Sequence, residues 1–516
     1  MKEALFDDGG GKNVVALGHG WLCSLFANRG MQRIVASLLL LTVLASLCPA
    51  LVSTNVPLDH WSYTAVDKLA DYALIDSAML TTRPISRIEM ARHIGQAMHR
   101  LEKEKNPPAV LLSILDRLQK EFEGELILIG VLEGSSAGTY VKPVEDPYMK
   151  YLYARREPDI ENVRGDVFRR GSNYRTGFAS RGTFFDLFAF YLHPEYIDSS
   201  EEDADVDLIE GYGKAMAGPI EFELGKDSLW WGPGRHGSIL MSNNAAPLTM
   251  IKVTNPQPIQ LPWIFRAFGP FRMQWFLAEL EEDRDFPEAR FSGIRLNIKP
   301  HPSVELGASR VMQSGGRGMP RVDVSDYARM FLARTEQEEN NQIAGFDASV
   351  LIPLGDNPLL RSFKFYGDTA GEDEAAGWPS KWSFLLGLQL NDILRTGRTD
   401  LRFEYADTHQ FLYEHSVYTS GYTYEDRVMG HHVGPDARDL FVQLSHYLMD
   451  DLLVDVAFDW QTFGTSTADQ SRMNILECNL TYFPSSDWQV RAGYRYETGD
   501  RDEDNHIFQI QLIREF

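Results

Sequence analysis

Two segments of the chain contain aromatic, amide and histidine side chains in patterns that suit ligand binding. The first has paired indoles before a Gly-Pro-Gly bend, then an amide-rich stretch: Trp230, Trp231, Gly232, Pro233, Gly234, Ser242, Asn243 and Asn244. Indoles offer flat apolar faces on which sugars stack, and amides donate to hydroxyl groups. The alternative, which we favour, is an inward loop whose indoles pack against a wall and whose amides satisfy buried backbone.

The second segment contains His415, Tyr418, Tyr422, His431, His432 and Asp436. Its adjacent histidines and nearby aspartate suggest a metal site, because imidazole and carboxylate groups are common ligands. However, adjacent residues of a strand point to opposite faces, so both imidazoles could not easily reach one ion. We therefore expect structural polar packing here, with no metal and no cofactor.

Catalysis has little local support in the sequence. The zinc motif His-Glu-x-x-His is missing. The 73 acidic residues are too many for one glycosidase carboxylate pair to stand out, and a barrel-embedded lipase needs no local motif. We expect a protein that is not an enzyme, with enzyme activity as the minor alternative.

Composition and charge exclude several classes of protein. The chain has 516 residues, of which 44% are hydrophobic, and this content is too high for a disordered protein. Its net charge of −23 argues against a nucleic-acid partner, which requires clustered Lys and Arg. Only one segment is apolar enough to be a membrane helix, so a polytopic helical membrane protein is excluded.

Residues 1–50 have the pattern of an export signal. Arg33 precedes a short apolar run over 34–47, and Ala50 supplies a small residue for cleavage. An uncleaved anchor is the alternative, and a lipoprotein site at Cys48 is less well matched because bulky Leu47 precedes it. Met31 is an alternative start. Cleavage would leave Cys478 as the one cysteine of the mature chain, so we expect no internal disulfide. We expect Cys478 to pack as a small, buried apolar residue.

Residues 51–130 predict a small helical domain, either periplasmic or a plug. Apolar residues recur at helical spacing after Asp59, a candidate N-cap. Ser86 and Glu89 predict a capping box for a second helix, and a third is expected to begin near Pro107 and Pro108.

Residues 140–516 alternate with a period of two, which predicts antiparallel strands. The numerous strands, their aromatic faces and the polar stretches between them favour an outer-membrane β-barrel over a soluble sandwich. The last row alternates up to a terminal aromatic: Phe508, Ile510, Leu512, Arg514 and Phe516. At about 10 residues per tilted strand, the length allows on the order of 16–20 strands in a closed barrel.

The motifs above together resemble the Wzi capsule-assembly family. The specific parts are the Trp230–Gly234 segment with its Ser-Asn-Asn-Ala continuation and the Gly-His-His-Val-Gly-Pro-Asp stretch that contains His431. The resemblance implies a mostly β protein, a large antiparallel transmembrane barrel of about 18 strands with a small N-terminal helical domain. It also implies lectin-like, non-catalytic help with attachment or assembly of capsular or extracellular polysaccharide at the cell surface.

This interpretation predicts the partners and the location. We expect contacts with polysaccharide, outer-membrane lipid and lipopolysaccharide in a Gram-negative bacterium, and a monomer. A fainter resemblance of residues 56–89 to S-layer-homology modules adds peptidoglycan as a hypothetical partner of residues 51–125. The acidic loops are solvated surface or gather divalent cations. The alternative function is a porin, because inward Arg491, Arg495, Asp455 and Asp459 would suit a wet lumen.

Overall fold

The computed structural model describes residues 51–135, 138–261, 263–320, 340–372, 381–500 and 504–515. The predicted export signal and the terminal Phe516 therefore lie outside the described residues. None of the helices in these ranges has both the length and the apolar character needed to cross a membrane.

Four short helices form the N-terminal helical domain: α1 (Ser62–Asp71), α2 (Arg87–Leu101), α3 (Ala109–Glu121) and α4 (Glu123–Leu128). The Ser86 half of the predicted capping box of α2 is confirmed, since the Ser86 hydroxyl accepts a hydrogen bond from the Glu89 amide at 3.3 Å, but the Glu89 side chain does not return a bond to Ser86. α3 begins directly after Pro108, as expected from the free donor positions at a helix start. The prediction of Asp59 as the cap of α1 is wrong: Trp61 occupies that position, and Asp59 pairs with Arg164 at 3.2 Å.

The rest of the chain forms a closed antiparallel barrel of 18 strands, with β8 and β9 counted as one because both pair with β10. The barrel closes between the first and last of these strands. Two further two-stranded sheets, β1 (Thr82–Arg83) with β7 (Trp230–Trp231) and β17 (Thr423–Tyr424) with β18 (Arg427–Val428), are not part of the barrel wall. The barrel strands are β2 (Tyr140–Ala154), β3 (Gly171–Phe184), β4 (Phe188–Ser199), β5 (Asp205–Ala217), β6 (Ile220–Asp227), β8 (Leu248–Thr254), β9 (Ile259–Gln260), β10 (Pro270–Glu279), β11 (Arg290–His301), β12 (Val304–Ser314), β13 (Asn340–Pro353), β14 (Ser362–Glu372), β15 (Lys381–Asn391), β16 (Thr399–Thr408), β19 (Ala437–Met449), β20 (Leu452–Phe463), β21 (Ser471–Ser485), β22 (Trp488–Gly499) and β23 (Asn505–Arg514).

Alternation along the strands separates an apolar outer surface from a polar interior. The outward rows expose large apolar side chains, among them Met149, Tyr153, Leu224, Leu386, Leu440, Phe458, Trp460, Phe508, Ile510 and Leu512. The inward rows bury charged and amide groups such as Arg295, Asn297 and Glu404. This distribution matches a barrel whose outside contacts lipid.

Two details on the outer surface refine the sequence predictions. Arg514 interrupts the last apolar row, and its guanidinium lies 5.6 Å from the centre of the Trp488 ring, a cation–π distance. Cys478 is only half buried, and it pairs across strands with the outward Val456 and Tyr494. The prediction of a fully buried cysteine is therefore wrong, because the residue belongs to the outward row of β21.

The connections at the two ends of the barrel differ in length. One end has tight turns such as 218–219, 302–303, 450–451 and 486–487. The other end carries the long segments between β6 and β8 and between β16 and β19. The helical domain contacts the tight-turn end: Arg117 of α3 donates to the Asp450 carbonyl at 3.4 Å.

Buried ion pairs join the helical domain to the wall. Glu125 of α4 accepts from Arg87 at 2.7 Å and from Arg181 of β3 at 3.1 Å. Arg295 of β11 forms two contacts with Asp347, at 2.7 and 3.0 Å, and also donates to the Thr81 carbonyl beside β1. The domain is therefore attached to the inner face of the barrel by groups that are themselves inaccessible to water.

Candidate functional site

The segment with paired indoles enters the barrel and joins the helical domain. Trp230 and Trp231 form β7, which pairs with β1. Trp231 is 1% exposed, and its indole nitrogen donates to Gln274 of β10 at 2.6 Å, while its ring meets Phe276 edge-on. The bend follows at once, because Gly232 has φ of +140° and any Cβ there would lie 2.8 Å from an Asp368 oxygen.

Both indoles are therefore packed into the protein interior and are not exposed for ligand binding. Trp230 is also buried, at 6% exposure, so neither ring presents a free face to a sugar at the barrel surface. Pro233 and Gly234 continue the bend toward Arg235 and His236, whose backbone amides donate to the Glu404 carboxylate at 2.8 and 2.9 Å. A wall carboxylate thus holds the tip of the inward loop.

The amide-rich stretch connects the two sequence motifs to each other. The Ser242 hydroxyl donates to the Gly430 carbonyl at 2.5 Å, and the Asn244 side chain donates to the Val428 carbonyl at 3.1 Å. Asn243 differs from both: its side-chain oxygen is buried and has no hydrogen-bond partner among the described residues, and the residue borders the cavity described below. Ser242 and Asn244 therefore satisfy backbone groups of the other motif, whereas the side-chain oxygen of Asn243 stays unsatisfied.

Two tyrosines of the second motif segment, Tyr418 and Tyr422, anchor the long loop between β16 and β19. The Tyr422 hydroxyl donates to the Leu240 carbonyl at 2.9 Å, and the Tyr418 hydroxyl donates to the Gly315 carbonyl at 3.1 Å. Both rings are buried, at 1% or less exposure. His415 is half-buried, and its Nδ1 accepts from the Val417 and Tyr418 amides, both at 3.2 Å.

The structure overturns the argument made for His431 and His432. These residues lie in a turn rather than a strand, and their rings stack with centres 4.5 Å apart. Adjacent side chains therefore point the same way, contrary to the alternation on which the sequence argument depended. Asp436 does not join them, because it accepts from the Ser466 amide at 2.8 Å and from Thr465.

His432 instead belongs to a buried group that no sequence pattern indicated. It lies beside His236 of the first motif, with ring centres 4.6 Å apart, and beside Asp439 and Asp459 of the wall. Burial lowers the pKa of His236, but Asp459 and Asp439 more than offset this and raise it to about 10. Burial and His236 lower the pKa of His432 to about 4. The only signal available in the sequence was the presence of His236 two residues after the Gly-Pro-Gly bend.

A cavity of about 640 Å³ lies between the helical domain, the inward loops and the wall. Its lining combines apolar side chains with polar and charged ones, among them Asp59, Arg164, Arg491 and Asn243. Burial raises the pKa of Asp59, but Arg164 and Arg491 outweigh that effect and bring it down to about 2. The cavity is thus lined by charges of both signs, a chemistry suited to hydroxyl-rich and ionic ligands.

Comparison with known proteins gives three findings. The family described as "Capsule assembly protein Wzi" matches residues 151–509. An uncharacterised protein from the cps region of Klebsiella pneumoniae is 34% identical over 172 residues, which is 32% of this chain and about a third of the length of that relative. The solved Wzi of Escherichia coli aligns over 89% of this chain and 98% of its own, with a TM-score of 0.67 and 19% identity. Since the family match covers most of the barrel, the chain belongs to the Wzi family of capsule assembly proteins.

Proposed function

We propose that this protein is a non-catalytic outer-membrane barrel that binds capsular or extracellular polysaccharide and assists its attachment or assembly at the cell surface. The family match over residues 151–509 carries the proposal. The E. coli protein with the same fold is described as an outer-membrane protein involved in group 1 capsule assembly and as a carbohydrate-binding β-barrel. We extend that carbohydrate binding to this chain.

The two ends of the barrel support an orientation in the membrane. Outer-membrane barrels have short periplasmic turns and longer extracellular loops. The helical domain lies at the tight-turn end, which makes it a periplasmic plug, and the two motif segments enter from the extracellular end. Export by a cleaved signal and contact of residues 51–125 with peptidoglycan stay predictions.

The filling of the lumen favours a scaffold over a porin. The loop that contains Trp231 crosses to β10 and β1, and the loop that contains Tyr422 reaches the same loop through the Leu240 carbonyl. From the other end the helical domain forms ion pairs with the wall through Glu125. These segments occupy space that a porin keeps open for solutes.

One short sequence segment has the letters of a catalytic-serine motif but not the order of elements that the motif requires. Residues 134–138 read Gly-Ser-Ser-Ala-Gly, the letters of the nucleophile-elbow motif. That motif requires a strand before the serine and a helix after it. Here α4 precedes the segment and β2 follows it, so the order of elements is the reverse. A binding role without turnover is the simpler conclusion.

The polysaccharide-binding surface is expected at the extracellular end, on the loop over residues 409–420. Phe411 is 42% exposed there, with the Lys381 ammonium 3.8 Å from the centre of its ring, and His415 is half-exposed nearby. An exposed aromatic face suits a polysaccharide, because the ring stacks on sugar. Trp231 belongs to the same buried apolar cluster as Leu412 and Tyr418 of this loop.

The test compares cell-bound with released polysaccharide after deletion of the gene and complementation with variants. Deletion should release polysaccharide, the wild-type gene should restore retention, and the double variant F411A/H415A should restore it only in part. Phe185→Ala is the matched control, since Phe185 is 76% exposed at the opposite end of the barrel. Unchanged retention in the deletion strain would refute the proposed function, and full rescue by the double variant would refute the surface.

A further inference from the structure

Four side chains from separate parts of the chain meet inside the barrel near its extracellular end. His236 comes from the loop between β7 and β8, and His432 from the turn before β19. Asp439 lies on β19 and Asp459 on β20, both on the inward face. One nitrogen or oxygen from each of the four lies within 4.8 Å of the others.

Three of the six separations within the group are close to the edges of a coordination tetrahedron, and all six are within 4.8 Å. The His236 Nε2 lies 3.1 Å from an Asp459 oxygen and 3.6 Å from an Asp439 oxygen. The His432 Nε2 lies 3.4 Å from the same Asp439 oxygen. A tetrahedron with metal–ligand bonds of about 2.0–2.1 Å has edges of about 3.3–3.4 Å, so the four groups surround a space of the size of one ion.

Asp439 gives a second and independent indication of a ligand. Its side chain is 2% exposed, and neither carboxylate oxygen has a hydrogen-bond partner among the described residues. Asp459 is in a related position, since Gln461 donates to one of its oxygens at 2.7 Å while the other has no partner. Buried carboxylate oxygens without donors are costly, because folding removes their water and supplies nothing in exchange.

The neighbouring arginine does not donate to these unsatisfied carboxylate oxygens. Arg495 is the guanidinium beside the group, and it is engaged by three other carboxylates: Glu161 at 2.8 Å, Glu477 at 2.7 Å and Glu497 at 2.7 Å. Beyond the four side chains themselves, this guanidinium therefore offers the aspartates no compensating charge. A divalent cation placed between the aspartates would offset both carboxylates at once.

We propose that His236, His432, Asp439 and Asp459 bind one divalent transition-metal ion, with zinc preferred. Two imidazole nitrogens with two carboxylate oxygens form a donor set typical of zinc, whereas calcium and magnesium favour oxygen ligands throughout. The ion would join both inward loops to the β19–β20 wall. This site goes beyond polysaccharide binding, and it replaces the expectation of a metal-free segment that the sequence suggested.

The competing explanation needs no metal. In it the two aspartates share one proton and a protonated His236 bridges them, with its ring stacked on Phe441 at 3.9 Å. Metal binding by the purified protein distinguishes the two explanations directly. If the two aspartates share a proton and His236 bridges them, the purified protein will not bind zinc.

The experiment uses the full-length chain in detergent, stripped with EDTA and titrated with zinc by calorimetry and by competition with a chromogenic chelator. We expect one ion per chain, and Co²⁺ in place of zinc should give the intense visible absorption of tetrahedral coordination. Asp439→Asn and His432→Gln should each weaken zinc binding at least tenfold. Asp436→Asn and His409→Gln are the matched controls, because both residues lie in the same part of the chain but outside the group.

Folding of each variant is checked by circular dichroism, and a second readout needs no variant. Zinc should raise the thermal midpoint of the EDTA-treated wild-type protein, because an ion that binds only the folded state stabilises it. Wild-type protein that binds no zinc would overturn the proposal. Folded Asp439→Asn and His432→Gln variants that bind zinc as the wild type does would overturn it equally.

Discussion

Glu125 offers the sharpest test of how the helical domain is held in the barrel. Its carboxylate lies between Arg87 of α2 and Arg181 of β3, at 2.7 and 3.1 Å. Burial raises the pKa of Glu125, but Arg87 and Arg181 outweigh it and lower the pKa from 4.5 to about 2. Since one pKa unit corresponds to about 1.4 kcal/mol, the two pairings together stabilise the folded protein by about 3 kcal/mol, and only the Arg181 share of this acts between the helical domain and the wall.

The sign of the pH dependence follows from the lowered pKa. The stabilisation is complete above the ordinary pKa near 4.5 and is lost as the pH falls toward about 2, where the docked carboxylate takes up its proton. Glu125→Gln removes the charge at every pH, while Arg87 keeps Glu121 and Arg181 keeps Glu145 as a partner. We therefore expect the variant to destabilise the folded protein by about 3 kcal/mol at pH 7, with docking losing the Arg181 share of this, and the difference from wild type to shrink below pH 4.

Hydrogen–deuterium exchange of α2 and α4, corrected for intrinsic rates, measures this docking. Glu125→Gln should exchange faster than wild type at pH 7, and the difference should be much smaller near pH 2.5, where wild-type Glu125 approaches its lowered pKa of about 2. Glu123→Gln is the matched control, because Glu123 lies on the exposed side of the same helix. Equal exchange of Glu125→Gln and wild type at pH 7, or a difference that persists undiminished in acid, would refute the reasoning.

Three further predictions concern the wall and the lumen. Trp231→Ala should cost about 3–5 kcal/mol, since it empties a buried site and orphans Gln274, while Trp488→Ala on the outer face should shift the thermal midpoint far less. Arg295→Met should cost about 3–5 kcal/mol in chemical denaturation because Asp347 is left buried and unpaired, and a fully stable variant would contradict the ion pair. In planar bilayers the wild-type protein should carry no steady current, whereas deletion of residues 51–130 should open one, and an open wild-type channel would favour the porin alternative.

The barrel was predictable because alternation is a local property. In β22 the row Trp488, Val490 and Ala492 faces outward while Gln489 and Arg495 face inward, as their period of two requires. The same local reasoning located the cap at Ser86 and the start of α3. Asp59 was misassigned because its charge has a long-range partner in Arg164, which competes with capping.

The candidate site was only partly predictable from the same information. The composition of the two motif segments indicated their importance, and the packing interpretation of the indoles matches their burial. The inference that His431 and His432 diverge was wrong, because it assumed a strand where the chain turns. The partners of His236 lie 203 to 223 residues away, at Asp439 and Asp459, and no local spacing indicates such a meeting.

By itself the sequence determined the period of each segment, and with it the small helical domain, the strands and the side of each strand that contacts lipid. Those features depend on neighbouring residues, whose relative orientation is set by the backbone geometry of a helix or strand. Tertiary structure decided which side chains meet in the lumen. Loop paths and strand pairing bring distant residues together, and the pairing of buried charges depends on that convergence rather than on any local pattern.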